Sequence, residues 1–413
     1  ENDVKNQPLQ QNLSAEQVAI LKEAGDDSAL MTAPSAYVDS YSENKILYRK
    51  TQISGVEIYE FSTDQEEELY NVRFTLVGAN QGNYTLANSA AVGRIYQYVA
   101  PFNGILQGNY EPIVRLVAPT KIQIATVMGK YKPSEKTLVD FEIGISNNDL
   151  NLFSSAEDSD NSGVAGRIYA KQRLLSKKWE IDAFANYQFV QKEFKTIERL
   201  FTIEFDRDWN LVNPLGNQSL LISGANFNLP GKGSAKYQLE KLDFSESFSG
   251  TRHVVDGLFR FKNLMLQNSG SILKSDSDYS ESTFVRNQSQ ARYHFNKNWV
   301  GGSFRLEDNE ERLKETNQFS ALSQRFNEFG AFVGRGDSTK VFVELGYLQR
   351  SNDSLVNGLI QKVNTSNSYY LKSRLLKTDK SDLSLFVNYR NLKFEDSDRK
   401  NEPSLNSRLL YND

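Results

Sequence analysis

The sequence predicts an all-β fold: a long antiparallel up-and-down meander (open sheet, sandwich or barrel-like) with one short N-terminal helix. Three observations carry this. From Ile46 onward apolar and polar residues alternate with a period of two, as strands do when their two faces meet different surroundings. Short Gly-, Asn-, Ser- and Lys-containing turns separate many of these runs, so consecutive strands pair as antiparallel neighbours. A single stretch carries convincing helical punctuation.

That stretch lies near the start. Ser14 and Gln17 have capping-box spacing, Leu13 and Val18 occupy the hydrophobic-staple positions, and Gly25 suits the residue just past the end, which predicts a helix over Ala15 to Ala24. About ten residues are too few for a helix to stand alone, so it is expected to dock on a sheet or a partner. The chain divides into an N-terminal arm with this helix (1–45), a small β module (46–118) and a large antiparallel meander (119–413). In the module the alternating runs are Gly55 to Phe61, Leu69 to Val77 and Val92 to Val99. Its exit is the Pro112 to Pro119 stretch, because Pro disfavours a central strand.

In the meander the apolar positions recur at Val139, Phe141, Ile143 and Ile145, and again at Ile181, Ala183, Ala185 and Tyr187. They return at Val341, Val343, Leu345 and Tyr347, and at Leu383, Leu385, Val387 and Tyr389. Short turns are expected at Ser176-Lys177, Asn296 to Asn298, Gly334 to Ser338 and Lys377 to Ser381. Long polar loops are expected at Glu307 to Asn317, Ser351 to Asn364 and Glu395 to Pro403. The start Glu1-Asn2-Asp3 has no initiator Met, and the end Ser404 to Tyr411 reads as a strand with no turn after it. Both suit a fragment whose meander is truncated at its C-terminus.

Composition narrows the function classes. Lys+Arg 48 against Asp+Glu 52 gives a net charge of -4, which offers no general attraction to nucleic acid or anionic lipid. No apolar run approaches the roughly 18 residues of a spanning helix, and a mean hydropathy of -0.55 agrees. A transmembrane β-barrel stays open, since its alternating faces average to a hydrophilic score. Cys 0 excludes a thiol nucleophile, zinc thiolates and disulfides, and suits an envelope or secreted chain.

The charged face is patterned. Asp140 and Glu142 share parity on one strand, Arg167, Lys171 and Arg173 on the next, and Glu180 and Asp182 on the one after, so acidic, basic and acidic rows are expected side by side. The opposite face decides between water and lipid. Around Phe319 to Gly334 one parity carries Arg325 and Asn327 and the other Gln324 and Glu328, while the better face of Phe284 to Phe295 carries Asn287 and Ser289. An Arg at a bilayer midplane costs about 2–4 kcal/mol, so a water-soluble, half-buried sheet is the favoured reading.

Chemistry is sparse. His253 and His294 sit within expected strands without converging partners and read as structural; the G-x-S-x-G pattern is absent; Gly231-Lys232-Gly233-Ser234 reads as a turn. Asp140 and Glu142 have glycosidase-like chemistry but read as partners of the basic row. One loop has ligand-like density: Asp158, Asp160 and Ser162, followed by Gly163, match the first half of an EF-type loop. Tyr169 stands where the bidentate Glu belongs, so this is at most a weak calcium loop, and a solvated turn otherwise. No other cofactor is expected.

Three stretches together carry a family resemblance. They are Glu142 to Ser154 with the acidic loop through Gly163; Phe194 to Arg199 running into Glu204 to Leu211; and Asn80 to Tyr84 leading to Tyr96-Gln97-Tyr98-Val99. These resemble large, β-rich envelope proteins of Bacteroidota, in particular the plug subunit of the type IX secretion translocon. The resemblance covers residues 45 to 215 or so. It implies a non-enzymatic periplasmic subunit that seals the mouth of a giant outer-membrane β-barrel protein-secretion channel. Its partners would be that channel and its accessory subunits, and it would meet the outer membrane only through them. Trp209, Arg207 and Tyr98 are then the candidate partner-binding anchors, or else ordinary sheet and turn residues. Two other classes stay open: an outer-membrane β-barrel pore, and a glycan-binding β-sandwich with Trp209 as a stacking platform.

Overall fold

The computed structural model describes residues 12–53, 55–90, 93–337, 339–396 and 398–412. The expectation for Glu1-Asn2-Asp3 falls outside them. The chain is all-β and separates into two units: Glu1–Ile124 with Ser146–Ser162, and Ala125–Ile145 with Gly163–Asp413.

Unit 1 opens with α1 (Ala15–Ala24), bounded as the sequence predicts. Gln17 N donates to Ser14 Oγ (3.2 Å) and Ser14 N to Gln17 Oε1 (3.0 Å), so the capping box is closed. Gly25 ends the helix at φ 60°, a backbone conformation that favours glycine. Ten short strands follow. They are β1 (Thr32–Pro34), β2 (Tyr37–Val38), β3 (Tyr48–Ile53), β4 (Val56–Phe61) and β5 (Leu69–Asn71), then β6 (Thr75–Leu76), β7 (Tyr84–Ala90), β8 (Gly93–Tyr98), β9 (Tyr110–Glu111) and β10 (Ile113–Arg115). They form two four-stranded sheets, ordered β2-β5-β3-β4 and β6-β9-β7-β8, and a β1–β10 pair. The arm is therefore woven into the module, since β1 pairs with its exit strand and β2 joins its first sheet.

Two apolar cores result. Leu21, Ala24, Met31, Ala33, Leu116 and Ala118 bury the inner side of α1. Phe74 lies at the centre of an aromatic group, with ring centroids 5.1 Å from Tyr48, 4.8 Å from Tyr84 and 4.6 Å from Tyr96. The segment 149–157 belongs to this unit and finishes the helix. Asn151 Nδ2 donates to the Leu21 and Gly25 carbonyls, and Ser154 Oγ to that of Lys22 (2.8 Å), which satisfies acceptors that a helix end leaves open.

Unit 2 is dominated by one antiparallel sheet. Its strands are β11 (Lys121–Ser134), β12 (Thr137–Asp149), β13 (Ser162–Ser176), β14 (Glu180–Val190) and β15 (Gln218–Leu229). Next come β16 (Gly233–Phe244), β17 (Phe248–Phe261), β18 (Leu264–Ser277), β19 (Ser280–Phe295) and β20 (Asn298–Leu313). The last are β21 (Gln324–Gly336), β22 (Phe342–Val356), β23 (Leu359–Lys377), β24 (Asp382–Phe394) and β25 (Glu402–Asn412). All 15 neighbour one another in chain order, the up-and-down meander expected.

Two of the expected long loops are strand instead. Residues 307–313 continue β20, and 351–364 form a hairpin that reverses at Asn357 (φ 52°) and Gly358 (φ 78°), the Asn-Gly pair that a tight two-residue turn favours. Residues 307–312 are polar on both faces and the hairpin tip is apolar on both, at Leu355, Val356, Leu359 and Ile360, so neither shows the alternation that marks a half-buried strand.

The acidic, basic and acidic rows meet as expected. Arg167 Nη2 lies 2.8 Å from Asp140 Oδ1 and Lys171 Nζ 3.0 Å from Asp182 Oδ2, with Arg173 also on Asp182. The expectation of an apolar core on the other side is not met. Ile143, Ile168, Leu221, Val255, Ile272, Val333, Leu345 and Leu409 are exposed, whereas Asp182, Glu240, Asn309, Glu311 and Glu344 on the polar face are buried. Alternation reports that two faces differ; it does not report which one is covered.

The apolar face has margins. On β24 it runs from Leu383 to Tyr389, roughly 20 Å at the rise of a strand, before Asn391. Tyr347, Tyr369 and Tyr389 stand directly opposite one another on three successive strands, and Phe304 stands opposite Phe329. Toward the short turns, Phe259 stacks on Phe261 and Tyr293 on Phe295. Arg325 lies beyond Phe329 on this face, bonded to Asp308 (2.8 Å) and Glu310 (3.0 Å), so it belongs to the polar margin rather than to the middle of the band.

Candidate functional site

The most elaborate assembly in unit 2 is built on the polar face of its sheet. Between β14 and β15 the chain makes a long excursion, 191–217, and lays it across β15 to β19 as a strap. Its centre is α2 (Phe205–Trp209), one helical turn that Asn210 terminates in the left-handed region at φ 53°. The strap sequence is apolar at Phe201, Phe205, Trp209 and Leu211. These residues pack with Leu220, Leu242, Phe248, Leu273 and Phe284, one from each strand beneath. Trp209 is 1% exposed. Gly250 makes room for its ring: a Cβ there would stand 3.1 Å from the indole and 3.0 Å from Phe248.

Ionic contacts surround this core. Arg252 lies over the Trp209 ring at 4.6 Å and reaches Glu240 at 2.6 Å and Asp208 at 3.7 Å. Arg286 bonds the Asp208 carboxylate, and Arg207 spans Glu307 at 2.6 Å and Glu204 at 3.3 Å. Burial opposes the charge on Arg207, yet the Glu307 and Glu204 carboxylates outweigh it and hold its pKa above the ordinary value. Asn210 completes the set, donating to Ser282 Oγ (2.9 Å) and Asn309 Oδ1 (2.7 Å). Every strand from β16 to β20 thus contributes a bond or an apolar contact to one five-residue helix.

Beside α2 a cavity of about 320 Å³ remains, lined by Asp208, Glu240, Ser271, Arg286, Arg305 and Phe326 among others. Arg286 Nε and Nη2 are buried there without a hydrogen-bond partner among the described residues. Phe326 is covered by two guanidiniums, Arg350 at 3.7 Å and Arg305 at 5.6 Å from its ring centroid. Two further polar knots hold the face. Glu311 accepts from Ser280 (2.7 Å) and Ser320, and Glu344 accepts from Trp299 Nε1 (2.7 Å) and Tyr370 (3.3 Å). The arrangement suits hydrated, charge-balanced surroundings, because most charges are matched locally and the residual donors face a space with room for several waters.

The residues singled out in the sequence fall as follows. Trp209 and Arg207 are brought together in the strap, but Trp209 spends its ring on its own sheet and is covered by Arg252. It is therefore neither an open anchor nor a stacking platform. Tyr98 belongs to unit 1, set edge-on to Tyr84 at 5.8 Å. Asp158 and Asp160 form a single 3-10 turn, in which Asp158 accepts from Asn161 Nδ2 (3.1 Å), and Ser162 bonds Asn147 (3.1 Å). Among the described residues no group of three or more His, Asp or Glu side chains has metal-holding geometry. His253 Nδ1 pairs with the Tyr237 hydroxyl at 2.9 Å. Sequence reasoning missed Asp208, Glu240, Arg252 and Arg286. Their signal was parity: each sheet residue of the group shares the polar face of its strand.

No family model matches the chain, and no curated protein does. Among solved structures, in-vitro folded OmpT, an outer membrane protein of Vibrio cholerae, aligns over 67% of this chain and 88% of its own at 7% identity, with a TM-score of 0.30. A loop L8 deletion mutant of OmpT aligns over 71% and 99% at 9% identity, with a TM-score of 0.31. Among the described residues no helix is long and apolar enough to cross a membrane, which leaves strand-spanning proteins untouched.

Proposed function

We propose that unit 2 is a membrane-spanning wall of the outer-membrane β-barrel type, with lipid on its apolar face, a hydrated interior on its polar face, and the strap narrowing that interior. The carrying observation is the inversion of burial: carboxylates such as Glu240 and Glu344 are buried while Ile143, Val333 and Leu345 are exposed. A sheet folded in water does the reverse, and an uncovered apolar face of this extent calls for lipid or protein against it. Aromatic rows near both margins support lipid, since Tyr and Phe girdles mark the membrane interfaces of such walls.

A spanning sheet must close, because unpaired backbone groups are not tolerated in lipid. Among the described residues β11 and β25 each have one neighbour, so the reading requires these edges to be bridged, by one another or by further strands. The seal of a giant secretion channel remains the rival, with channel protein rather than lipid covering the apolar face. Both readings place the chain in the cell envelope and assign it no catalysis.

Extraction tells them apart. A wall resists carbonate and urea washes of native envelopes, needs detergent, and shifts in gel mobility on heating. Release of the chain by a detergent-free wash would overturn the wall reading and favour the seal.

A further inference from the structure

The apolar face of unit 2 carries a polar break midway along β18 and β19. Asn268 stands between Leu266 and Ile272 on one strand; Asn287 and Ser289 stand between Val285 and Ala291 on the other. The three side chains form a chain of bonds. Asn268 Nδ2 donates to Ser289 Oγ (2.8 Å), which donates to Asn287 Oδ1 (2.8 Å). This leaves Asn268 Oδ1 as an acceptor and Asn287 Nδ2 as a donor without a hydrogen-bond partner among the described residues, and one N–H of Asn268 Nδ2 unspent beside them. Asn268 Oδ1 and Asn287 Nδ2 both sit above Gly270, where a Cβ would stand 4.0 Å from the first and 3.2 Å from the second. Around them the surface is low. Gly257, Ala291 and Gly302 floor a hollow of about 600 Å³ between Leu266 and Phe259 on one side and Phe304 and Phe329 on the other.

Water would hydrate these two amide groups. Hydrocarbon cannot, and an unmet polar group at that depth is strongly disfavoured. We propose that the patch is a self-association surface. A second copy of this chain, related by a two-fold axis, lays its own patch here, so that Asn287 Nδ2 of each copy donates to Asn268 Oδ1 of the other. The inference rests on the membrane-wall reading. Three features select a second copy. The unspent groups include a donor and an acceptor side by side, so the patch is complementary to itself. A two-fold contact makes both bonds at once. The small residues allow two backbones to come close, as interfaces within membranes require. An acyl chain could fill the hollow but would leave both amides unmet.

The chain has no cysteine, so single-cysteine probes are clean. Gly270→Cys, at the centre of the patch, and Leu385→Cys, elsewhere on the apolar face, would each be oxidised in native membranes. Gly270→Cys is expected to give disulfide-linked dimer at least tenfold more efficiently. In mild detergent the wild-type particle should have twice the protein mass of Asn268→Leu/Asn287→Leu. That double variant is better suited to lipid, so retained heat-modifiable mobility shows that it still folds. Equal cross-linking at both positions, a dimer that survives the double variant, or a monomer retaining lipid would each overturn the proposal. Release without detergent would instead sink the wall reading, a separate readout.

Discussion

In unit 1 two tyrosines at the centre of the module turn inward. Tyr48 and Tyr84 are 1% and 2% exposed, and their hydroxyls accept from the backbone N–H of Tyr96 (3.0 Å) and Tyr59 (2.8 Å). Burial pushes the Tyr84 hydroxyl up to about 12. In the sheet of unit 2 the same residue type turns outward: Tyr369 and Tyr389 are 55% and 43% exposed and line up across strands. A tyrosine has an apolar body and a polar tip. When the surroundings are water, its body is covered and its tip bonded within the fold. When the surroundings are apolar and end nearby, it stands at the boundary instead. The contrast extends to charge, since unit 1 wears its ion pairs outside whereas unit 2 folds one group of them, around Asp208 and Arg252, beneath a strap.

The sharpest test of this contrast is Trp209→Ala. Removing the centre of an apolar core that lies on the charged face should cost about 3–5 kcal/mol of strap attachment. Trypsin should then cut at Lys192, Lys195 and Arg199 at least tenfold faster while the sheet keeps its heat-modifiable mobility. A strap that stays protected would mean that its ionic contacts suffice without the core. The next test is a matched pair of arginines on exposed aliphatic positions. Leu345→Arg in unit 2 should cost about 2–4 kcal/mol in lipid vesicles, whereas Ile53→Arg in unit 1 should stay within about 0.5 kcal/mol. Equal costs in denaturant titrations would erase the distinction between the units.

The smallest effect expected is a pH effect confined to unit 1. Burial raises the pKa of Glu111 above the carboxylate range, although Asn83 donates to it through its backbone N–H (2.7 Å) and Nδ2 (2.8 Å). A raised pKa in the folded state contributes stability at low pH that is lost as pH rises through that folded value. Glu111→Gln keeps an acceptor for Asn83 and removes the titration. Amide exchange around β7 and β9, followed from pH 4 upward, should therefore slow in the variant above the folded pKa and match wild type below the ordinary value of about 4.3. Unchanged exchange at neutral pH would show that Asn83 already offsets the burial.

Much of this architecture was legible in the sequence. Ser14, Gln17 and Gly25 mark α1 to the residue because capping is local chemistry. Arg167, Arg173 and Asp182 marked a shared face because parity is local too. Which face is covered was not legible, because it depends on what the strands assemble against, and Ile143 looks the same under a core or under lipid. Arg325 and Asn287 argued for water when read from one strand each. Neighbouring strands supply what one strand cannot show: Asp308 and Glu310 pair with the first, and Ser289 links the second to Asn268. The strap was missed because its apolar residues carry no period, and its charged partners lie as many as 100 positions away, as Arg207 and Glu307 do.

The capping of α1 has a consequence for how the chain matures. The helix lies at residues 15–24, but the amide that closes its end comes from Asn151, about 130 positions later. Between them the ribosome must deliver all of β11 and β12. The N-terminal unit therefore cannot complete itself as it emerges and then wait, like a bead on a string. The donors that close its last turn are missing until residues 151 to 154 have been made, after the whole of β12, which couples the timing of the two units. A chain stalled before Asn151 would hold an almost finished unit 1 with an open helix end, a form suited to recognition by a chaperone.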